Sequence, residues 1–453
     1  MSTPPIDRRG FLKGALGVGA LAATGALAAC APGGQSTGPS KLARPTASAS
    51  TAAKGEITIW NRSGDLFKVF DAAIGKFRQA YPGVKVNHLA VDIDAKLANT
   101  LISGTDVPDG SFWDDAKIGG QAEHLFDLTD LIAPYREQTS AYKLSVNTVE
   151  GKIYGVPWDL DPGLLWYRAD ILEDAGVDPA SLATYDDLLT ASRTIREKDP
   201  KTRPIHLDKS PFLGQLWLEM LANQQGTSLT DAQGKLRLDS AEYRRIFTWI
   251  QTAVKDGLVT HAPYLEAADV NTLDSGQQVF VPWAIWWSFA PQQLLKATKG
   301  KWRAAPLPAW TPGGARSGAM GGSSFVIPAK ARNPELAWLL YEFLCFKEPG
   351  YTAVYGPNDV YPGGLSTSIP SYTPAQAKPL FKPIDALGGQ DLWKVAVDAA
   401  ATIPAAAPIP VWWAQSVDYL GDNLQRLIEG KMSPDDVIAD SAKKIQRNLI
   451  DRS

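Results

Sequence analysis

The sequence predicts an α/β fold built on doubly wound sheets flanked by helices. Three observations carry this. The elements between residues 55 and 113 alternate β-α-β-α-β. Further strand-like runs alternate with amphipathic segments through the rest of the chain. An apolar content of 45% and a charged content of 21% over 453 residues describe globular protein, with enough chain for two or three ordinary domains.

Residues 55–60, Gly-Glu-Ile-Thr-Ile-Trp, alternate in polarity and read as the first strand. Phe67, Phe70, Ile74 and Phe77 recur at helical spacing, and Tyr81-Pro82-Gly83 stops that helix. Residues 84–86 start a second strand. Residues 94–103 form a helix with Leu97 and Leu101 on one face, and Ser111-Phe112-Trp113 is a third strand. This order predicts parallel strands joined by right-handed crossovers. Residues 164–168 are another strand, and 169–175 a helix ended by Gly176. Thr184 caps the next helix with Asp187 at its third position, so Asp186 and Asp187 are helix-start carboxylates rather than a catalytic pair. Residues 210–300 read as mostly helical, interrupted at 282–287. Residues 321–328 are a glycine-led strand, and Asn333-Pro334-Glu335 opens a helix that runs through Phe346. Residues 413–429 are a helix closed by Gly430. Ser433 caps the last helix, with Pro434 at its first position.

The N-terminus has its own pattern. Arg8 and Arg9 precede an apolar run from Gly14 to Ala29, and Leu27-Ala28-Ala29-Cys30 follows. This is similar to a twin-arginine export signal ending in a lipoprotein cleavage box, with Cys30 as the lipidated first residue of the mature chain. Asp7 stands where Ser or Thr is usual before the arginine pair. An uncleaved N-terminal membrane anchor is the alternative, and either arrangement places the globular part outside the cytoplasm. Residues 31–54, rich in Ala, Pro, Gly, Ser and Thr, read as a flexible tether.

Composition excludes several classes of function. A net charge of −3 with no block of Lys or Arg gives no footprint for nucleic acid. The four histidines, His88, His124, His206 and His261, are scattered, so no metal site is expected. No phosphate-binding loop or nucleophile elbow is present, and no cofactor is expected. Cys345 is left without a partner if Cys30 is lipidated, and reads as a buried structural thiol on an apolar helix. The outlying number is 15 Trp against 14 Phe and 14 Tyr. A buried indole needs a partner for its N–H, so such a surplus points to an aromatic-lined cleft.

Ligands of doubly wound sheets bind beyond the carboxyl ends of the strands. Those positions hold Trp60, Asn61, Arg62, Ser63 and Asp65 after the first strand, and Trp113, Asp114 and Asp115 after the third. Asp65 serves equally well as a residue at the start of the following helix. Indole faces beside carboxylates and amides suit a pyranose, which has apolar C–H faces and a hydroxyl rim. The same aromatics would surround a quaternary amine by cation–π attraction.

The order of motifs resembles the family 1 extracytoplasmic solute-binding proteins of carbohydrate ABC importers, the maltose-binding-like group. The carriers are residues 55–60, the Gly151-to-Trp158 run with Trp166-Tyr167-Arg168-Ala169-Asp170-Ile171-Leu172, Thr184-Tyr185-Asp186-Asp187-Leu188, Gly321-Gly322-Ser323, Asn333-Pro334-Glu335-Leu336-Ala337-Trp338 and Gly430-Lys431-Met432-Ser433-Pro434. The resemblance implies a two-lobe, periplasmic-binding-protein-like fold of type II, each lobe a doubly wound sheet, joined by a hinge that the chain crosses several times. Lobe one would hold 55–162 and 314–362, and lobe two 163–313 and 363–453. It implies a sugar or oligosaccharide bound between lobes that close around it. The partners would be permease transmembrane subunits with a cytoplasmic ATPase, and a monomer held to the membrane through the lipid on Cys30.

Asp161 matches the position of a sugar-binding carboxylate near the hinge and Trp283 that of a stacking tryptophan. Trp412 and Trp413 lie close to another, about one helical turn out of register. Gly322 and Ser323 match a hinge-side strand whose backbone faces ligand. Trp158, Asp159 and Trp286 complete the candidates, with wall or core packing as the alternative role for each Trp. Three further readings stand behind the sugar-binding one: a binder of a quaternary amine, a secreted glycoside hydrolase, and a surface scaffold. The hydrolase would need two close carboxylates. Asp159 and Asp161 are the available pair, and their side chains are expected to point apart.

Overall fold

The structure is a computed structural model, and it describes residues 53–451. Arg8, Arg9, Cys30 and nearly all of the tether lie outside the described residues. Among the described residues no helix is long and apolar enough to cross a membrane.

The chain opens with β1 (Gly55–Arg62), α1 (Asp65–Ala80), β2 (Val84–Val91), α2 (Ile93–Ser103) and β3 (Gly110–Asp114). As the alternation predicts, β1 runs parallel to both β2 and β3, with Ile57 opposite Val86 and Ile59 opposite Gly110. Helix α1 forms because Val69, Phe70, Ala73, Ile74 and Phe77 recur on the face it buries. The Asp92 carboxylate caps α2 by accepting from the Ala95 amide at 3.2 Å, and Gly104, at φ 67°, closes it in the left-handed conformation.

After α3 (Asp115–Ile118) and α4 (Ala141–Val146) the chain adds β4 (Val156–Pro157) and leaves through β5 (Asp159–Leu160). A second set follows: β6 (Gly163–Arg168), α5 (Tyr185–Lys198), β7 (Ile205–Asp208), α6 (Pro211–Asn223), α7 (Ala241–Lys255), β8 (Val259–Ala262), β9 (Phe280–Ala284) and β10 (Trp302–Pro306). The chain returns as β11 (Ser323–Val326) and α8 (Pro334–Phe346). It crosses again at β12 (Ile369–Pro370), antiparallel to β5, and ends with α9 (Trp413–Ser416) and α10 (Pro434–Ile445). The first sheet has the order β2-β1-β3-β11-β4 and the second β8-β7-β9-β6-β10.

Each sheet has its own core. The first gathers Ile57, Phe70, Phe112, Phe325 and Trp338; the second gathers Leu165, Trp166, Trp217, Phe247, Trp283 and Trp302. Two α/β lobes joined by repeated crossings are therefore the architecture. Ala319 and Met320 pack into the second core while β11 belongs to the first sheet. Between them stand Gly321 and Gly322, with φ of 75° and 112°. Positive φ at both positions is a conformation that glycine adopts freely.

Local signals fared unevenly. The Thr184 capping box is present in both directions, with Asp187 N to Thr184 Oγ1 at 3.2 Å and Thr184 N to Asp187 Oδ2 at 2.8 Å. The helix expected over 413–429 contains a π-turn at Val417–Gly421. The mostly helical reading of 210–300 is corrected by β8 and β9. All five residues of β9 are buried, so no polar alternation marks it as a strand.

Candidate functional site

A cavity of about 780 Å³ lies between the lobes, lined from both sides and from the hinge. Its first wall comes from the strand ends of the first sheet. Alternation along β3 turns Phe112 and Asp114 to the cavity and leaves Trp113 in the core. Arg62, the last residue of β1, holds Asp114 at 3.0 Å and Asp94 at 3.4 Å. Lys117 of α3 reaches Asp114 at 3.1 Å and also pairs with Asp94. Partial burial works against both cations, but the two carboxylates outweigh it and raise the pKa values of Arg62 and Lys117. Burial likewise opposes the Asp94 carboxylate, and Lys117 and Arg62 pull its pKa below the ordinary value. All four residues line the cavity.

Behind this wall the Lys143 ammonium of α4 is fully buried. It pairs with Asp115, with Asp159 at 3.0 Å and with the Ser323 carbonyl at 2.9 Å. Asp115 also accepts from Ser324 Oγ at 2.7 Å, and Asp159 accepts from the Ser323 amide at 2.9 Å. One cation thereby ties the first lobe to two hinge crossings. Burial disfavours this ammonium, yet Asp115 and Asp159 overcome it and hold its pKa above the ordinary lysine value.

Asp159 and Asp161 both reach the cavity. The expectation that they point apart is corrected, because residues i and i+2 of an extended segment lie on one face. Their roles still differ. Asp159 is engaged by Lys143 and Ser323, whereas Asp161 Oδ1 is buried without a hydrogen-bond partner. Burial raises the pKa of both carboxyls, and at Asp161 the neighbouring Asp159 adds to it. The Nε1 of Trp158, on the same stretch, is also buried and unpartnered. Both residues line the cavity, so two buried polar groups without partners lie at its hinge side.

The second wall comes from α6 and the late proline-rich segment. Phe212, Leu213, Leu216, Glu219 and Asn223 form a stripe of α6 along the cavity, and residues 406–410 face them. Glu219 accepts from Trp413 Nε1 and from Gln215 Nε2, and desolvation pushes its pKa up to about 7. Tyr142 lies where Asp115, Glu219, Asp161 and Asp159 all act on it; burial and those carboxylates push its hydroxyl far above the usual range. Trp286, edge-on to Trp283 at 5.5 Å, is partly exposed to the cavity.

Of the expected site residues, Asp114, Trp158, Asp159, Asp161, Trp286, Gly322, Ser323 and Trp413 line the cavity. The others have different places. Trp60 sits in the first core beneath the Lys96 ammonium, 4.5 Å from its ring. Asn61 is buried and accepts from the Arg62 amide at 2.8 Å. Asp65 stands in the first turn of α1, paired with Lys68 at 3.0 Å. Trp113 and Trp283 are core residues, Trp283 stacked on Tyr264 at 5.4 Å. Trp412 precedes α9 and packs against the second core. Arg62 and Asp115 stand at strand ends, where the sequence points to a ligand, whereas Lys143, Tyr142, Phe212 and Glu219 lie on helices with no such signal. A lone Lys or Glu on a helix gives no signal when its partners are distant in sequence.

Two α/β lobes around a shared cavity, with open polar groups at the hinge, define a cleft-type binding protein. The model of the bacterial extracellular solute-binding protein family matches residues 62–349. The chain belongs to that family. It is 27% identical over 307 residues to the arabinooligosaccharide-binding protein of Bacillus subtilis, covering 64% of this chain and 68% of that protein. The counterpart in Halalkalibacterium halodurans is 24% identical over 62% of this chain and 65% of its own length, so the match spans about two thirds of each. The lactose-binding protein of Rhizobium radiobacter is 24% identical over 79% of this chain and 85% of its own. In fold, the chain is similar to the galacto-N-biose/lacto-N-biose I-binding protein of Bifidobacterium longum in complex with lacto-N-biose. That match has a TM-score of 0.73 at 18% identity, covering 88% and 98% of the two chains.

Proposed function

We propose that this chain captures a sugar or oligosaccharide in the interlobe cavity and delivers it, chemically unchanged, to the membrane permease of an ABC importer. The observation that carries this is the interlobe cavity lined by Trp158, Asp161 and Trp286, where Trp158 Nε1–H and Asp161 Oδ1 are buried without a hydrogen-bond partner. A pyranose offers hydroxyls to the first two and a C–H face to the third. Binding at a micromolar dissociation constant requires about −8 kcal/mol, within reach of one stacked indole and a few charge-assisted hydrogen bonds. Two features weigh against hydrolysis and an amine cage. Asp159 is held by a buried lysine, so Asp159 and Asp161 are not two free carboxyls. Trp283 and Trp287 lie in the core, so the 283–287 tryptophans do not together form a cage.

Calorimetry with mono- and oligosaccharides tests this reading. Saturable binding with the sugar recovered intact is the expected result. Reducing ends appearing over time, or choline or betaine binding in place of any sugar, overturns it. Asp161→Asn should weaken sugar binding at least tenfold. The same reading places the receptor outside the cell on a lipid attached to Cys30, exported through Arg8 and Arg9. Replacing both arginines with Lys should block export, and Cys30→Ala should release the protein into the medium.

A further inference from the structure

The lobes also meet where the chain does not cross between them. Gly119 and Gly120 of the first lobe, just after α3, touch Ile409 and Val411 of the second. A Cβ built on Gly119 would stand 3.3 Å from the Ile409 carbonyl oxygen and 3.9 Å from Val411 Cα. One built on Gly120 would stand 3.2 Å from the Val411 carbonyl oxygen. Neither glycine is there for its backbone. Gly119 is right-handed helical, at φ −55° and ψ −43°, and Gly120 continues the 3₁₀ turn Gly119–His124. Any residue adopts that conformation, and alanine holds it better than glycine. What the missing side chains provide is room for the backbone of the second lobe to come close.

The segment that comes close is built as a strap. Residues 403–410 have no helix or strand, and Pro404, Pro408 and Pro410 stiffen them by fixing φ. The second lobe holds this strap along its length. Asn223 Nδ2 donates to the Pro404 carbonyl at 3.1 Å, and Ser228 Oγ accepts from the Ala407 amide at 3.1 Å. Ile409 and Trp412 pack against the second core, and α9 follows at once. Residues 406–410 line the cavity, while Val411 is 50% exposed, so the strap runs from the cavity wall to the solvent edge. Its last residues rest on Gly119 and Gly120. Ala116, one turn earlier in the first lobe, also packs against the second core. A hinge rotation that parts the lobes breaks this seat.

We propose that Gly119 and Gly120 are positioning residues for ligand capture: they seat the 404–411 strap on the first lobe and latch the cleft shut over its ligand. Neither glycine is among the residues that line the cavity. Their effect on affinity runs through the fraction of molecules that are closed. A receptor closed one time in ten binds about tenfold more weakly than one that is always closed. This rests on the sugar-binding reading for what the cleft holds, and adds the contact that keeps it there.

The test is calorimetry and stopped-flow fluorescence on the full chain, with the sugar that the parent protein binds most tightly. Gly119→Val and Gly120→Val should each weaken binding at least ~10-fold, chiefly through faster dissociation. The melting temperature of the ligand-free protein should stay within about 3 °C of the parent's. Gly120→Ala asks the strap to move by less, and should fall between the parent and Gly120→Val. Gly120 is exposed and its Cβ would meet only the Val411 oxygen, so Gly120→Val guards against a folding defect at the buried Gly119. Parental affinity and dissociation rate in a folded Gly120→Val overturn the latch. An affinity loss that comes with a larger fall in melting temperature assigns the glycines to packing and overturns it too. If the parent binds no sugar, the sugar-binding reading falls, and small-angle scattering on the ligand-free chain judges the latch by itself. A larger radius of gyration in both valine variants upholds it, and an equal one overturns it.

Discussion

The two lobes share a plan and differ in chemistry. In both sheets three parallel strands stand in the order second, first, third, with β2-β1-β3 in one lobe and β8-β7-β9 in the other, followed by an antiparallel neighbour. The first lobe brings charge to the cavity, as the Arg62, Asp94, Asp114 and Lys117 cluster backed by Lys143. The second brings apolar side chains from α6 and the 406–410 segment. The scaffold thus fixes where a wall stands, while the residues at strand ends and first helical turns fix what it binds.

The largest expected effect lies where charge is most deeply buried. Lys143→Met keeps the bulk of the side chain but strands Asp115 and Asp159, both buried, without their cation. Loss of one partner of a buried ion pair costs about 3–5 kcal/mol, to be read from urea denaturation at neutral pH. The loss should shrink in acid, as the Asp159 carboxyl, whose pKa burial raises, takes up its proton and no longer needs the lysine. A loss under 1 kcal/mol would mean that the hinge does not depend on this network.

A pair of tryptophans separates packing from binding in the second lobe. Trp283 is 1% exposed and stacked on Tyr264, so Trp283→Ala should lower stability by about 3–5 kcal/mol and spare the affinity of the folded protein. Trp286 faces the cavity, so Trp286→Ala should weaken sugar binding about tenfold or more with a smaller stability loss. The reverse pattern would move the binding site to the core side of β9.

That contrast shows what could be read from sequence. The β-α-β-α-β order, the capping box at Thr184 and the glycine-led strand after Gly321 are local signals, and each is present in the structure. The surplus of Trp was visible, but the division of labour among tryptophans was not. Trp283 and Trp286 are three residues apart, and whether either meets a cavity depends on what the second lobe packs behind β9. The Lys143 network was illegible for the same reason: its partners lie 28, 16 and 180 residues away. The Asp159–Asp161 geometry, by contrast, was legible from strand periodicity alone, and the expected divergence misapplied it.

The second wall has one titratable group of its own, Glu219. Desolvation raises its folded pKa to about 7, above the ordinary glutamate value of 4.5. The folded state then holds the proton more tightly than the unfolded chain, so stability from this group is complete below pH 4.5 and declines as pH rises through 7. Glu219→Gln removes that dependence. The variant's stability relative to the parent should climb by roughly 1–3 kcal/mol between pH 4.5 and 7.5, the lower end reflecting screening at a side chain that faces the cavity. A parallel pH profile for the two proteins would show that the apolar wall does not desolvate this carboxyl.

The smallest effect belongs to the charged wall itself. Arg62 and Asp114 are 3.0 Å apart, but their side chains are 36% and 20% exposed, and Asp94 beside them is 48% exposed. Solvent screens such a cluster, and each long side chain loses rotamer freedom by joining it. A double-mutant cycle on Arg62→Ala and Asp114→Ala should therefore give a coupling below about 1 kcal/mol, falling as salt is added. A coupling above about 2 kcal/mol that resists salt would show the opposite. The charged wall would then be as rigidly set as the Lys143 network behind it, and the cavity would present its polar face preformed to the ligand.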